Sequence, residues 1–154
     1  IVSSNVRISN TRGENMSNVE ISKNWEDNNL LELSINAKSK FVTIHQLCYV
    51  QDTDLKEIGE KIIAYSFDAK EEIYVEFGEK EGNFTPAFSL SFLPADNSGR
   101  VKIEIDMEID DNPDRKHRCK FYIYSELGLI EQFGRSLILL SENKNEDIAL
   151  NVRN

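Results

Sequence analysis

Apolar and charged residues alternate strictly from Val101 to Asp110, with every odd position apolar and every even position charged. This period of two is typical of a β-strand with one buried face, because successive side chains of a strand point to opposite faces. Four carboxylates would stand in one row on the exposed face: those of Glu104, Asp106, Glu108 and Asp110. Such a row could bind cations, receive a basic partner, or form an ordinary solvated face of a sheet.

Short segments rich in β-branched and aromatic residues recur from Leu30 onward, separated by turn-forming stretches such as residues 94–99. The predicted strands cover residues 30–37, 40–50, 61–67, 72–77, 86–93, 100–110, 116–125, 136–141 and 147–152. Two short helical turns are predicted in addition, one over 53–59 and a weaker one over 125–133, which Gly128 interrupts.

The recurrence of short strands without long intervening helices predicts an all-β fold, an antiparallel β-sandwich of about seven to nine strands with at most one or two helical turns. An immunoglobulin-like or C2-like architecture is expected. The separation of Cys48 and Cys119 suits the immunoglobulin pattern, but His117 stands where that pattern has a Tyr. One sandwich domain is predicted over 30–154, preceded by a polar segment, 1–29, that could add edge strands.

The alternating strand is followed by a charged turn and a second strand, and the side chains predict how these two strands align. The expected core-facing pairs are Met107 with Cys119, Ile105 with Phe121, and Ile103 with Ile123. The expected outward pairs are Asp110 with Lys116, Glu108 with Arg118, Asp106 with Lys120, and Glu104 with Tyr122. A shift by one residue would turn Asp106 towards the core, where an unpaired charge is costly. Most of the acidic row is therefore predicted to be structural.

Composition and charge exclude several classes of partner. Lys and Arg total 18 against 27 Asp and Glu, which gives a net charge of −9. This charge argues against binding of nucleic acid or anionic membranes, where attraction to phosphate dominates the affinity. No apolar run approaches the roughly 20 residues that span a bilayer, so no membrane insertion is expected. The predicted partner is another protein, and the oligomeric state stays open.

The redox compartment is also open. Cys48 and Cys119 could form a disulfide between two sheets, although two buried free thiols are slightly favoured. The chain begins at Ile1 rather than Met, which fits either a mature secreted or periplasmic chain or a cytoplasmic fragment. The localisation is therefore not predicted.

Residues suited to catalysis are few. The chain has two His residues, and His45 and Cys48 lie three apart on a predicted strand, so they point to opposite faces. The Gly-x-Ser-x-Gly, phosphate-binding Gly-rich and Cys-x-x-Cys motifs are all absent from the sequence. We therefore expect a protein that is not an enzyme and has no resident cofactor.

Two acidic loops offer a candidate metal site. In a sandwich with alternating strand directions, the loops after strands 40–50 and 100–110 emerge at one end. Clustered oxygen ligands there could bind Ca²⁺. The alternative is that Asp and Thr are simply turn formers or helix caps. The candidate calcium ligands are Asp52, Asp54, Asp111 and Asp114.

Two tyrosines on the outer face of the second hairpin strand complete the set of candidate sites. Tyr122 and Tyr124, together with Lys102, Glu104 and Arg115, could form a mixed protein-binding patch, since Tyr and Arg are enriched at interface hot spots. Alternatively, another segment of the chain covers these rings.

The function predicted from the sequence is a non-catalytic protein-binding β-sandwich module of a larger or processed protein. One alternative is an acidic inhibitor or immunity-type protein that neutralises a basic partner. A second alternative is a calcium-dependent module that binds its ligand with the loops at one end of the sandwich.

Overall fold

The computed structural model describes residues 18–78, 87–110, 112–144 and 147–151, and these ranges contain eight strands and two helices. In chain order they are β1 (Asn18–Asp27), β2 (Leu30–Lys38), β3 (Thr43–Gln51), α1 (Asp52–Asp68), β4 (Ile73–Phe77), β5 (Ala87–Phe92), β6 (Arg100–Ile109), β7 (His117–Glu126), α2 (Leu127–Ser141) and β8 (Asp147–Asn151). The strands form two antiparallel sheets, in the order β3-β2-β1-β8 and β4-β5-β6-β7. The prediction of a mostly-β chain with antiparallel sheets is confirmed.

One hydrophobic core joins both sheets and both helices. Alternate positions of the strands supply it, as on β2, where Leu31, Leu33, Ile35 and Ala37 are fully buried. A buried amide also links the sheets. The Nε2 of Gln46 on β3 donates to the Ala87 carbonyl at 2.7 Å and to the Glu108 carbonyl at 3.3 Å.

The helices are much longer than expected, and the strands predicted over 61–67 and 136–141 are wrong. Both segments lie inside helices, because α1 has 17 residues and α2 has 15. The two predicted helical turns, 53–59 and 125–133, mark the first parts of these helices. A short apolar run has the same appearance in a buried strand and in a buried helix, so periodicity alone does not separate them.

The two helices pack against each other through a pair of glycines. A Cβ atom at Gly59 of α1 would lie 2.7 Å from the carbonyl oxygen of Gly134 on α2. A Cβ atom at Gly134 would lie 2.9 Å from the carbonyl oxygen of Gly59. Only residues without a Cβ allow this approach, so the glycines determine how closely the helices cross.

The order of elements repeats along the chain. β1, β2, β3, α1 and β4 form a first unit, and β5, β6, β7, α2 and β8 form a second unit with the same series. Each unit gives its last strand to the other sheet, because β4 pairs with β5 and β8 pairs with β1. The chain is thus a pseudo-dimer of two units with exchanged final strands.

Equivalent positions of the two helices keep equivalent contacts. Ser66 Oγ donates to the Ile63 carbonyl at 2.7 Å in α1. Ser141 Oγ donates to the Ile138 carbonyl at 2.6 Å in α2. Each serine lies seven positions after the glycine of the helix contact. The repeat therefore extends from topology to individual side chains.

The N-terminal segment enters the fold more centrally than expected. β1 lies between β2 and β8 in the first sheet, so its residues form an inner strand rather than an edge. The rest of the polar segment, residues 1–17, lies outside the described residues.

Candidate interaction surface

The hairpin of β6 and β7 has the alignment that the sequence predicts. The paired residues include Met107 with Cys119, Ile105 with Phe121, Ile103 with Ile123, Glu108 with Arg118, Asp106 with Lys120, and Glu104 with Tyr122. The apolar members of these pairs face the core, and the charged members lie on the opposite face of the sheet, where Asp106 is nevertheless buried. The alignment prediction is therefore confirmed.

Two of the three ion pairs on this hairpin are diagonal rather than directly across. Arg118 forms a two-point contact with Asp106, with Nε to Oδ1 at 3.0 Å and Nη2 to Oδ2 at 2.5 Å. Lys120 reaches Glu104 at 3.6 Å, and only the pair of Lys116 with Asp110, at 3.5 Å, matches the predicted partners. Diagonal neighbours lie within reach of long side chains.

The carboxylate of Asp106 is 6% exposed, so its pairing with Arg118 has a structural role. Hydrogen bonding to Asp106 raises the pKa of the Arg118 guanidinium above its ordinary value. These contacts hold the acidic row within the sheet, as the sequence analysis expects for most of it.

Beyond the ion pairs, the structure brings together four of the five predicted interaction residues. The ring of Tyr122 is 44% exposed, and the Lys102 ammonium lies 4.5 Å from its centroid. Tyr122 OH donates to Glu104 Oε2 at 2.8 Å, and this bond raises the pKa of Tyr122. The guanidinium of Arg100 lies 4.1 Å from the Tyr124 ring centroid. We call Arg100, Lys102, Glu104, Tyr122 and Tyr124 the tyrosine face.

The fifth residue, Arg115, lies apart from the tyrosine face. It belongs to the turn between β6 and β7, where its backbone N–H donates to the Asn112 carbonyl at 3.0 Å. Along an extended strand this turn is roughly 20 Å from Tyr122. Arg115 is therefore not a neighbour of the tyrosines.

A hollow beside β7 was not predicted. The loop between β2 and β3 lies against β7 and encloses a space of about 510 Å³. The lining residues are Ser39, Lys40, Phe41, Val42, Phe121, Tyr122, Ile123 and Tyr124. Phe41 is 86% exposed, and the Lys40 ammonium lies 5.7 Å from its ring centroid. This loop falls inside the predicted strand 40–50, so the sequence does not indicate that its aromatic residue, Phe41, is exposed.

The predicted calcium ligands are spread over separate elements. Asp52 and Asp54 lie in the first turn of α1, whose N-cap is Gln51 without a side-chain bond, so neither Asp nor Thr caps this helix. Asp114 lies in the turn after β6, and Asp111 falls outside the described residues. Within the described ranges no three His, Cys, Asp or Glu side chains gather as a metal site requires. The calcium site stays a prediction.

The two cysteines are free thiols, as the sequence analysis slightly favours. Burial raises the pKa of Cys48 to about 12, which keeps its thiol protonated near neutral pH. His45 points to the opposite face of β3, where its Nδ1 lies 2.8 Å from Asn36 Oδ1. His45 and Cys48 therefore do not form a local Cys–His pair.

A second opening, which we call the α1–β4 cleft, lies between α1, β3 and β4 and has a volume of about 520 Å³. Its polar lining includes Asp54, Glu57 and Glu76, together with the half-exposed ring of Tyr74. Lys61 Nζ lies in the same cleft and donates to the Tyr74 carbonyl at 2.9 Å. This cleft is therefore predominantly acidic.

Comparison of the chain with protein-family models, with curated proteins and with solved structures finds no match. Neither helix in the described part of the chain combines the length and the apolar character needed to cross a membrane.

Proposed function

We propose that this chain is a non-catalytic protein-binding module and that the tyrosine face is its binding surface. The observation that carries the proposal is the 44% exposed ring of Tyr122, held on a sheet beside a lysine that rests on it. Tyr is enriched at interface hot spots because its ring is apolar and its hydroxyl is polar.

The tyrosine face is also held in place before a partner arrives. The Glu104 carboxylate accepts a hydrogen bond from the Tyr122 hydroxyl, and the Lys102 ammonium packs on the ring. A side chain with such contacts loses little conformational freedom on binding, which favours affinity. The face thus offers contact area at a small entropic cost.

For the architecture we propose a two-sheet sandwich in the general manner of immunoglobulin-like or C2-like domains. The single core shared by both sheets supports this assignment. The helix pair is an addition to that general plan.

The test is quantitative capture from a lysate of the source cells, with wild-type protein and two variants as bait. Tyr122→Ala removes the central ring, and Leu47→Ala is the matched control, since Leu47 is 39% exposed at the equivalent position of β3. We expect a protein that is retained by the wild type and by Leu47→Ala and lost with Tyr122→Ala. If every retained protein binds Tyr122→Ala as well as the wild type, the tyrosine face is not the binding surface.

A second candidate function, an acidic inhibitor or immunity-type protein, is favoured by the α1–β4 cleft. Three carboxylates, of Asp54, Glu57 and Glu76, line it in a molecule of net charge −9. A basic side chain of a partner would suit this cleft. Under this alternative, Glu57→Lys with Glu76→Lys abolishes capture, Tyr122→Ala has no effect, and binding falls steeply with salt.

A further inference from the structure

We infer that the partner binds as an extended segment with alternating acidic and apolar residues, which adds a fifth strand to the second sheet along β7. This inference rests on the proposed function, because it specifies the kind of partner that the tyrosine face receives. It has three supports: the edge position of β7 among the strands of the described residues, the hollow beside it, and the lysines around that hollow.

The first support is the position of β7 in its sheet. Within the part of the chain that the structure describes, β7 is the last strand in the order β4-β5-β6-β7, and it pairs with β6 along ten residues from His117 to Glu126. Half of its backbone N–H and C=O groups point away from β6, since each strand of a ladder alternates the direction of these groups. An edge of this length is a template for a further strand.

The fold already uses this kind of addition twice. β4 leaves the first unit and pairs with β5, and β8 leaves the second unit and pairs with β1. Each exchange completes one side of a three-stranded sheet with a strand of five residues. The opposite sides end at β3 and β7, and a strand from outside would extend β7 in the same manner.

The second support is the hollow of about 510 Å³ that runs beside β7. Its floor and walls are mainly apolar, and Phe41 stands 86% exposed at its rim. In a strand added to β7, every second side chain would point towards this hollow and the others towards the tyrosine face. A single added strand could therefore fill the hollow and cover Tyr122.

The third support is charge. Three bases of the hairpin are already paired with carboxylates, namely Lys116, Arg118 and Lys120. Lys40 and Lys102 instead rest on exposed aromatic rings, and within the described residues neither forms an ion pair. Acidic residues of the partner would complement these two ammonium groups. Because the whole molecule carries −9, an acidic segment meets attraction only where such cations stand.

A second copy of the chain fits the edge less well. Arg118 and Lys120 both lie on the outward face of β7, so symmetric pairing of two β7 strands would bring these cations of both copies together on one continuous face. Like charges placed together across strands are destabilising. The partner is therefore a different protein with an acidic segment.

The experiment begins with selection of binders from a phage-displayed library of random decapeptides on the full chain. We expect enriched peptides to alternate apolar with acidic residues. One enriched peptide is then synthesised in two forms, unmodified and with alternate backbone nitrogens methylated, and affinities are measured by calorimetry. N-methylation removes N–H donors without changing the side chains, so we expect it to weaken binding at least about tenfold when the methylated face pairs with β7.

Two double variants test the charge argument with equal loss of net charge. Lys40→Gln with Lys102→Gln is expected to weaken the unmodified peptide about tenfold. Lys56→Gln with Lys70→Gln, which removes two lysines of α1 and the segment after it, is expected to change the affinity less than twofold. Amide hydrogen exchange should slow at alternate residues of β7 when the peptide is bound, and β3 amides should not change.

The outcomes separate this inference from the proposed function. Equal affinity of both peptide forms, with unchanged exchange at β7 but loss of binding in Tyr122→Ala, would refute strand addition and leave the tyrosine face as the surface. Enrichment of basic peptides would also refute it. So would a set of enriched peptides whose binding does not depend on Lys40 and Lys102. The inference fails equally if the chain dimerises through β7 at micromolar concentration, as sedimentation would show. Capture that is independent of Tyr122 overturns the proposed function itself.

Discussion

The outer faces of the two units have the same construction but carry opposite charges at one corresponding position. In the first unit Glu32 of β2 lies directly across from Tyr49 of β3 and accepts a hydrogen bond from its hydroxyl at 2.7 Å. In the second unit Lys102 of β6 lies directly across from Tyr124 of β7. Both tyrosines stand three residues before the helix of their unit. A carboxylate in one unit thus corresponds to an ammonium in the other.

This difference shows how one scaffold can hold a structural face and a binding face. The Tyr49 ring is half-buried and packs on Trp25 at a centroid distance of 5.9 Å, so its ring and its hydroxyl both have partners within the unit. The corresponding ring in the second unit meets the guanidinium of Arg100, and the neighbouring ring of Tyr122 is more exposed. We place binding on the second unit because its cations stand on rings that a partner can still reach.

Each unit has a place where the strand before its helix, β3 or β7, meets its own last strand, β4 or β8, in the opposite sheet. We call these two places the seams, and they also differ. Ser125 Oγ on β7 donates to the Asn151 carbonyl on β8 at 2.8 Å and joins the two sheets. At the equivalent place in the first unit stand Val50 and Gly78, which have no such hydroxyl, and both line the α1–β4 cleft. One seam is therefore closed by a hydrogen bond and the other is open.

The largest loss of stability is expected at the contact between the two helices, where the two units meet. Gly59→Ala would bring a Cβ atom against the Gly134 carbonyl oxygen, which is backbone and cannot rotate away. Such overpacking typically costs about 1–3 kcal/mol and here should reach about 3 kcal/mol of unfolding free energy, measured by urea denaturation. Gly134→Ala should cost a similar amount if the two units are equivalent at this contact.

Gly128→Ala is the matched control for both variants. It lies in the first turn of α2, and a Cβ atom there would have no neighbour within 4 Å. Alanine favours helices over glycine, so this variant should keep or slightly raise the unfolding free energy. An equal loss in Gly128→Ala would show that the helix contact is not the cause.

The second-largest effect is expected on the affinity for the partner, and it tests the charge difference between the two faces. Lys102→Glu makes the second face resemble the first, and we expect the affinity for the captured partner to fall about tenfold, or about 1.4 kcal/mol. Glu32→Lys makes the opposite change on the first face and should leave this affinity within about twofold. Calorimetry with the purified partner measures both. Equal weakening by the two variants would contradict the assignment of binding to the second unit.

The sequence predicts the structure of a segment well where the pattern that decides it lies within that segment. The pairing of β6 with β7 follows from strict alternation, because a shift by one residue would bury charge. The C-terminal parts of α1 and α2 are apolar runs that suit a buried strand as well as a buried helix, and the contact of Gly59 with Gly134 that packs the two helices together joins positions distant in sequence. The hollow beside β7 depends on Phe41, and no local pattern indicates that its loop lies against β7.

Alkaline pH should affect the stability contributed by one helix and not by the other, because only one of two equivalent positions carries a titratable side chain. Burial raises the pKa of Tyr65 in α1 to about 12, and its hydroxyl donates to the Leu93 carbonyl. The equivalent residue of α2 is Leu140, which does not titrate. A phenol whose pKa is higher when folded holds its proton more tightly in the native state. Its stabilisation is therefore full below about pH 10 and is lost as the pH rises towards 12.

Urea unfolding at about pH 9 and pH 11 measures this effect. The wild type should lose about 1 kcal/mol more between the two pH values than Tyr65→Leu, which makes α1 resemble α2 at this position. Tyr65→Phe serves as the control, since it keeps the ring and removes the titration. The same loss in all three proteins would assign the alkaline effect to other groups.

The smallest loss of unfolding free energy is expected at the closed seam, where the Ser125 hydroxyl bonds to β8. Ser125→Ala removes the donor to the Asn151 carbonyl from a fully buried position, and we expect a loss of about 1 kcal/mol of unfolding free energy. Ser141→Ala is the matched control, because Ser141 Oγ bonds within its own helix to the Ile138 carbonyl, which contributes little. The hydroxyl of Ser125 joins β7 to a strand that the second unit gives to the first sheet. If Ser125→Ala cost no more than Ser141→Ala in urea unfolding, the closed seam would hold the exchanged strand through packing rather than through this hydrogen bond.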